Sequence, residues 1–248
     1  VLDIKNLMVF FENALALNDL SMTVNEGEIV GVIGSNSAGK TTLMNTVSGL
    51  IIDMKIKEQR RGGERITIYG EIIFQGEDIT NTKANNRAKK GIVLSRERHP
   101  IFPESDVMEN LKIAGHMRKR SELREMTEYV FHLFPALFDL KKRKAGFLSG
   151  GEQQMLAIGM TLIVKPVLLL LDEPLLGLSP HLQSALVTAI KDLRSESGIT
   201  ILISEQFARP VLPMIDRGYV IENGMLALTG TGAELMDNPE VKAAYFGV

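Results

Sequence analysis

Gly34-Ser35-Asn36-Ser37-Ala38-Gly39-Lys40-Thr41 decides how this chain is read. The spacing G-x-x-x-x-G-K-[ST] gathers two glycines, a lysine and a hydroxyl residue around one short loop. Its flanks supply the context the pattern requires. The apolar run Ile29 to Ile33 reads as a buried strand, and beyond the loop Leu43, Met44, Val47 and Leu50 return at helical spacing. Strand, loop and helix in that order form an anion trap: glycines let backbone N–H groups wrap phosphates, and the helix N-terminus adds partial positive charge. Lys40 reaches the β and γ phosphates and the Thr41 hydroxyl ligates Mg²⁺. The candidate nucleotide-binding set is Gly34, Ser35, Asn36, Ser37, Ala38, Gly39, Lys40, Thr41 and Thr42.

Leu168-Leu169-Leu170-Leu171-Asp172-Glu173 supplies a second half. It reads as a fully buried strand that delivers two carboxylates at its C-terminal end, where ligands of parallel sheets bind. Asp172 is the candidate Mg²⁺ ligand, usually through water, and Glu173 the candidate catalytic group that orients the attacking water and accepts its proton. An acidic pair after a strand is by itself more often a helix cap or a surface pair. The phosphate loop is what reverses that reading.

Leu148-Ser149-Gly150-Gly151-Glu152-Gln153 narrows the class. Ser149 is placed as the N-cap of a helix over Glu152 to Val164, with Glu152 closing a capping box, and the Ser149 hydroxyl with the Gly150 and Gly151 amides forms an anion cradle. The block resembles the signature sequence of ATP-binding cassette (ABC) ATPases and stands before the acidic pair as in that family. The resemblance extends along almost the whole chain. It implies that the cradle binds the γ-phosphate held by the opposite subunit's phosphate loop, so that two chains sandwich two ATP. It also implies that Phe11 stacks on adenine, that Gly177-Leu178-Ser179-Pro180 crosses the dimer interface, and that Glu97 and Gln206 stand where a Mg²⁺-touching Gln and a catalytic switch His are usual. Gln206 offers a neutral hydrogen bond without an imidazole's charge. Ser37 replaces a usual Gly, a change compatible with binding as long as its φ stays negative.

Glu97, Gln206 and the closing Val241-Lys-Ala-Ala-Tyr-Phe-Gly247 resemble the second ATPase of branched-chain amino acid importers. That resemblance implies integral-membrane permease subunits, a second ATPase subunit, related or identical, in a head-to-tail dimer, an external solute-binding protein, and a cytoplasmic, peripheral position on the inner face of the membrane. Urea and amide importers and a lipopolysaccharide-export ATPase are similar, and a non-transport ABC ATPase is a further alternative, disfavoured by the single phosphate loop.

The remaining composition sets limits. Among 248 residues, 28 Lys+Arg against 30 Asp+Glu give a net charge of −2, so no global basic field holds nucleic acid or an anionic surface. The absence of Cys excludes thiolate metal sites, and the four His lack metal-ligand spacing. No run approaches a membrane span, and the N-terminal alternation is unlike a signal peptide, which predicts a cytoplasmic chain.

The expected fold is α/β: a P-loop NTPase (RecA-like) core with an antiparallel β subdomain and an inserted α-helical subdomain. The expected division is a core over 1–94 and 165–230, helices over about 95–164 and a helical tail over 231–248. Asn223-Gly224 predicts a hairpin. The charged stretch Ile51 to Tyr69 is expected to be a solvated hairpin or loop, with Gly62-Gly63 as its turn.

Overall fold

The computed structural model describes residues 1–63, 65–96 and 100–246. Its strands are β1 (Leu2–Phe11), β2 (Ala14–Val24), β3 (Ile29–Ile33), β4 (Ile66–Phe74), β5 (Glu77–Asp78), β6 (Ile92–Ser95), β7 (Leu168–Asp172), β8 (Thr200–Glu205), β9 (Arg217–Glu222) and β10 (Met225–Thr231). Its helices are α1 (Lys40–Ser48), α2 (Leu50–Gln59), α3 (Ala84–Lys89), α4 (Val107–Ala114), α5 (Arg120–Leu133), α6 (Pro135–Asp139), α7 (Gly150–Leu162), α8 (Pro180–Ser197), α9 (Ala208–Val211), α10 (Gly232–Asp237) and α11 (Pro239–Tyr245).

Among the described residues the strands form two sheets. Alternating β1 and β2 join β4 and β5 in an antiparallel sheet of order β2-β1-β4-β5. The other sheet has the order β10-β9-β3-β8-β7-β6, with the fully buried strands β3, β8 and β7 at interior positions, and is parallel except for the β9–β10 hairpin. Strands covered on both faces have no polar side to show, which is why β3 and β7 are buried at every position. Successive side chains feed opposite cores. Leu169, Leu171, Ile201 and Ile203 face the layer of α7 and α8, whereas Leu168, Leu170 and Leu202 face α1 and the antiparallel sheet. The Asn223-Gly224 hairpin forms, with both residues at positive φ as a two-residue turn requires.

The two sheets are tied by polar contacts at their shared end. Arg217 donates to Glu28 Oε2 at 2.9 Å and to the Thr23 carbonyl at 3.1 Å, and the Tyr219 hydroxyl donates to the same carbonyl at 3.2 Å. Partial burial pushes the Glu28 carboxyl up, but bonds from Arg217 and from the Asn25 amides outweigh it and hold the group down at about 2.

The expectation for Ile51 to Tyr69 is corrected. Leu50–Gln59 is helical, turning off the left-handed Gly49 directly after α1; Arg60 through the turn at Gly62 is irregular, and β4 begins at Ile66. Ile51 and Ile52 are buried against the antiparallel sheet, with Ile56 packed beside them. Each buried isoleucine contributes about 1.5–3 kcal/mol, enough to order a helix whose other faces are charged. The density of Lys, Arg and Glu masks that narrow apolar stripe in the sequence.

Arg87 on α3 is fully buried and has no acidic contact at hydrogen-bond distance among the described residues. Its guanidinium donates to the carbonyls of Thr46 and Val47 in the last turn of α1 and to those of Ile79, Thr80 and Thr82. The fork thus closes the C-terminal end of the helix whose N-terminus carries the phosphate loop, and its charge suits the negative pole there. Burial lowers its pKa to about 10, with Asp78 and Asp53 opposing, so it stays cationic at neutral pH. Arg87→Met leaves those carbonyls without their donor. It is expected to cost about 3 kcal/mol or more, a fall in Tm on the order of 10 °C by thermal unfolding, whereas substitution of the exposed Lys89 on the same helix leaves Tm within about 2 °C.

Candidate functional site

Parallel pairing brings three strand ends to one edge. β3 leads into Gly34, β7 ends in Asp172 and passes to Glu173, and β8 ends in Ser204 and Glu205 before Gln206. Register pairs Ile33 with Glu205 and Asp172 with Ser204, so residues far apart in sequence become lateral neighbours. They frame a cleft of about 610 Å³ lined by phosphate-loop residues 36, 37 and 39–42, by Glu173 and Gln206, and by Leu15, Ala16, Leu176 and Asn223. That size suits a nucleotide.

The loop is a strained turn. Gly39 has a φ of +106°, and a Cβ there would lie 2.8 Å from the Ala16 carbonyl oxygen. Ser37 also has positive φ, +64°, so the expectation of a negative φ is corrected: the turn closed by Ala38 N–H on the Ser35 carbonyl at 3.2 Å holds a residue with a Cβ in the left-handed region, at a cost in strain, and Ser37 still lines the cleft beside Asn36 and Gly39.

Lys40, 3 % exposed, folds back across the loop. Its Nζ donates to the Gly34 carbonyl at 2.8 Å and the Ser35 carbonyl at 2.9 Å, and pairs with Glu173 Oε1 at 2.9 Å. A buried ion pair requires such additional hydrogen bonds to offset desolvation. Glu173 itself has a φ of +49°, an uncommon conformation for a non-glycine residue, and its N–H donates to the Ser204 carbonyl at 3.0 Å. Asp172 Oδ1 accepts from the Ser204 hydroxyl at 2.6 Å and from the Thr41 hydroxyl at 3.4 Å. Thr41 and Asp172 thus bring a hydroxyl and a carboxylate together, hard oxygen donors of the kind Mg²⁺ takes alongside nucleotide phosphates. Among the described residues no cluster of three or more His, Cys, Asp or Glu forms a metal site without such phosphates.

Other predicted residues lie elsewhere. Phe11, at the end of β1, is partly buried against the core of the antiparallel sheet, and Leu15 and Ala16 of β2 line the cleft. Ser149 caps α7 with the expected reciprocal box, Glu152 N–H donating to its hydroxyl at 3.4 Å and its own N–H to Glu152 Oε2 at 2.7 Å. Ser149 and Gly150 are exposed and outside the lining of this chain's own cleft. A Cβ on Gly150 would meet nothing within 4 Å, whereas one on Gly151 would lie 2.6 Å from a terminal methyl of Leu182, which would have to shift. Glu97 lies outside the described residues.

Two participants went unassigned in the sequence although they adjoin Gln206. Ser204 anchors Asp172, and Glu205 is buried behind the acidic pair, accepting from the Leu175 N–H at 2.7 Å. Burial, reinforced by the charge of Glu173, pushes the Glu205 carboxyl up to about 8 against the opposing Leu175 and Gln206 amides and Lys40. A serine and an acidic residue ending a mainly apolar strand are the available signal.

A phosphate loop after a central parallel strand, with an acidic pair two strands away and β8 between them, defines a P-loop ATPase with an added antiparallel sheet and helical insertion. The ABC transporter family model matches residues 17–176, and the chain belongs to that family, whose ATP-binding subunits hydrolyse ATP. It is 37% identical, over the full length of both chains, to the high-affinity branched-chain amino acid transport ATP-binding protein BraG of Pseudomonas aeruginosa. It is 32% identical to the lipopolysaccharide export system ATP-binding protein LptB of Haemophilus influenzae, covering all of this chain and 97% of that one. The ADP conformation of MJ1267, an ATP-binding cassette of an ABC transporter, superposes with a TM-score of 0.80 at 29% identity, covering 100% and 99% of the two chains.

Two measurements test the site's strain and burial. Ser37→Gly removes a Cβ from a left-handed position and is expected to stabilise the chain by about 0.5–1 kcal/mol in urea unfolding. Glu205 holds a proton in the folded chain up to about pH 8 that the unfolded chain releases near 4.5, so its contribution to stability falls as pH rises through that window. The stability of Glu205→Gln relative to the parent is therefore expected to rise from pH 5 to pH 8.

Proposed function

We propose that this ABC ATPase is the motor subunit of an importer for branched-chain amino acids. The observation that carries the catalytic part is the convergence of Lys40, Thr41, Glu173 and Gln206 on one cleft. ATP phosphates enter among the amides of residues 34–42, at the N-terminus of α1. Lys40 then exchanges the Gly34 and Ser35 carbonyls and Glu173 for the β and γ phosphates. That exchange releases the Glu173 carboxylate to orient water and take its proton as the water oxygen bonds to the γ-phosphorus and the bond to the ADP oxygen breaks. Gln206 donates a neutral hydrogen bond to the γ-phosphate. Thr41 and Asp172, with Glu97 as a further candidate, would hold Mg²⁺, which supplies charge neutralisation at the phosphates.

Ser149, Gly150 and Gly151 present their cradle to the phosphates bound by a second ATPase subunit, and exposure of Ser149 and Gly150 away from the chain's own cleft supports that reading. ATP then bridges two subunits where ADP does not, so binding closes a head-to-tail dimer and hydrolysis reopens it. The work passes to an integral-membrane permease through the helical block, with an external solute-binding protein delivering the solute. Among the described residues no helix is long and apolar enough to cross a membrane, which is consistent with a separate permease. The groove of Ala114, Met117, Met160 and Val164 between the helices is the proposed seat of a permease helix. Full-length similarity to BraG supports the branched-chain assignment, and similarity to LptB supports lipid export as the second reading.

Lys40→Ala is expected to abolish nucleotide binding in a fluorescent-ATP titration, and unchanged affinity would refute the loop's role. Glu173→Gln is expected to retain ATP while slowing turnover by about 10²–10⁴-fold and trapping a dimer on gel filtration. Purification of the tagged chain from its native membrane, followed by uptake assays with leucine, isoleucine and valine, tests the solute. Association with lipid-export components instead would favour the second reading.

A further inference from the structure

Glu205 joins three parts of the site without lining the cleft. Its backbone carbonyl accepts from Gly34 N–H, the first residue of the phosphate loop, at 3.3 Å. Its side chain crosses to the turn after the acidic pair, where Oε1 accepts from Leu175 N–H at 2.7 Å. The next residue along the chain is Gln206, in the cleft wall. Glu205 is 1 % exposed, and its Oε2 is buried without a hydrogen-bond partner among the described residues.

A carboxyl in such a place is costly. Ile201, Leu202 and Ile203 fill the same strand with no polar group to desolvate, so a carboxyl at its end must be offset by what it holds. What it holds is the turn. Glu173 sits at positive φ between Asp172, anchored by Ser204, and Pro174, and the next free amide after it is that of Leu175. Leu176 N–H closes the turn on the Glu173 carbonyl at 3.2 Å. Glu173 is thus clamped on one side by β8 through its own N–H and on the other by Glu205 through Leu175. While Lys40 is paired with Glu173, the ion pair also aims the carboxylate. Once Lys40 turns to phosphate that constraint is gone, and the backbone clamp is what remains.

We propose that Glu205 is a positioning residue for hydrolysis: by accepting the Leu175 N–H it fixes the turn that carries Glu173 and so keeps the Glu173 carboxylate aimed at the attacking water after Lys40 has left it. This rests on Glu173 acting as the base. The requirement is an acceptor at full glutamate reach, which Gln retains, Asp retracts and Ala lacks.

The test uses the full chain, with ATP turnover, ATP affinity and hydrogen exchange measured on Glu205→Gln, Glu205→Asp and Glu205→Ala beside Glu173→Gln. Glu205→Ala and Glu205→Asp are expected to lose on the order of 10–100-fold in kcat with KM for ATP changed less than about threefold, and to accelerate exchange at the Leu175 amide. Glu205→Gln is expected to retain kcat within about threefold and to keep that amide protected. A merely structural carboxyl would lower Tm in all three without separating kcat from KM. The proposal is overturned if folded Glu205→Ala keeps the parent kcat, or if Glu205→Gln falls as far as Glu205→Ala. If Glu173→Gln turns over at the parent rate, the base assignment fails on its own, and exchange at Leu175 still reads whether the clamp exists.

Discussion

The buried contact between Lys40 and Glu173 is the constraint around which the rest of the structure is arranged. Burying a lysine that is 3 % exposed is costly without partners, and among the described residues it has two loop carbonyls and one carboxylate. The carbonyls belong to the phosphate loop after β3, and the carboxylate to the turn after β7. One ammonium group therefore fastens together the ends of two strands that are separated in the sheet by β8. Its partners are also replaceable. Phosphate oxygens offer the lysine more negative charge than a single carboxylate and two dipoles, which is why the proposed mechanism has a nucleotide exchange this contact.

Holding that geometry requires backbone conformations that most residues avoid. Ser37 and Glu173 both have positive φ, and both belong to the cleft. Such conformations persist only where surrounding bonds over-determine them. At Glu173 those bonds come from β8, through the Ser204 carbonyl on one side and the Glu205 carboxyl on the other. At the far end of α1, Arg87 performs the matching task, gathering carbonyls so that the helix behind the phosphate loop ends in satisfied groups. The site is thus supported from beneath by groups that touch no proposed ligand.

Much of this is legible in the sequence. Gly34 to Thr41, the acidic pair after four leucines and the Ser149 capping box each carry their meaning in local spacing, because a loop that wraps phosphate and a helix that needs a cap are short-range problems. The helix at Leu50–Gln59 was not legible. Its stripe of Ile51, Ile52 and Ile56 is narrow, and only the presence of the antiparallel sheet beneath it makes that stripe decisive.

In the sequence by itself, residue type and spacings of a few positions carried the parts: a glycine-rich loop with its lysine before a helix, a carboxylate pair on a buried strand, a capped glycine-rich helix start, and an α/β order of elements. Tertiary structure alone decided which parts meet. The register of β3, β8 and β7 sets Ile33 beside Glu205 and Asp172 beside Ser204, and so gives Glu205 its place behind Glu173. No spacing in the chain encodes that adjacency, since strand pairing is fixed by the burial of whole faces rather than by any local pattern.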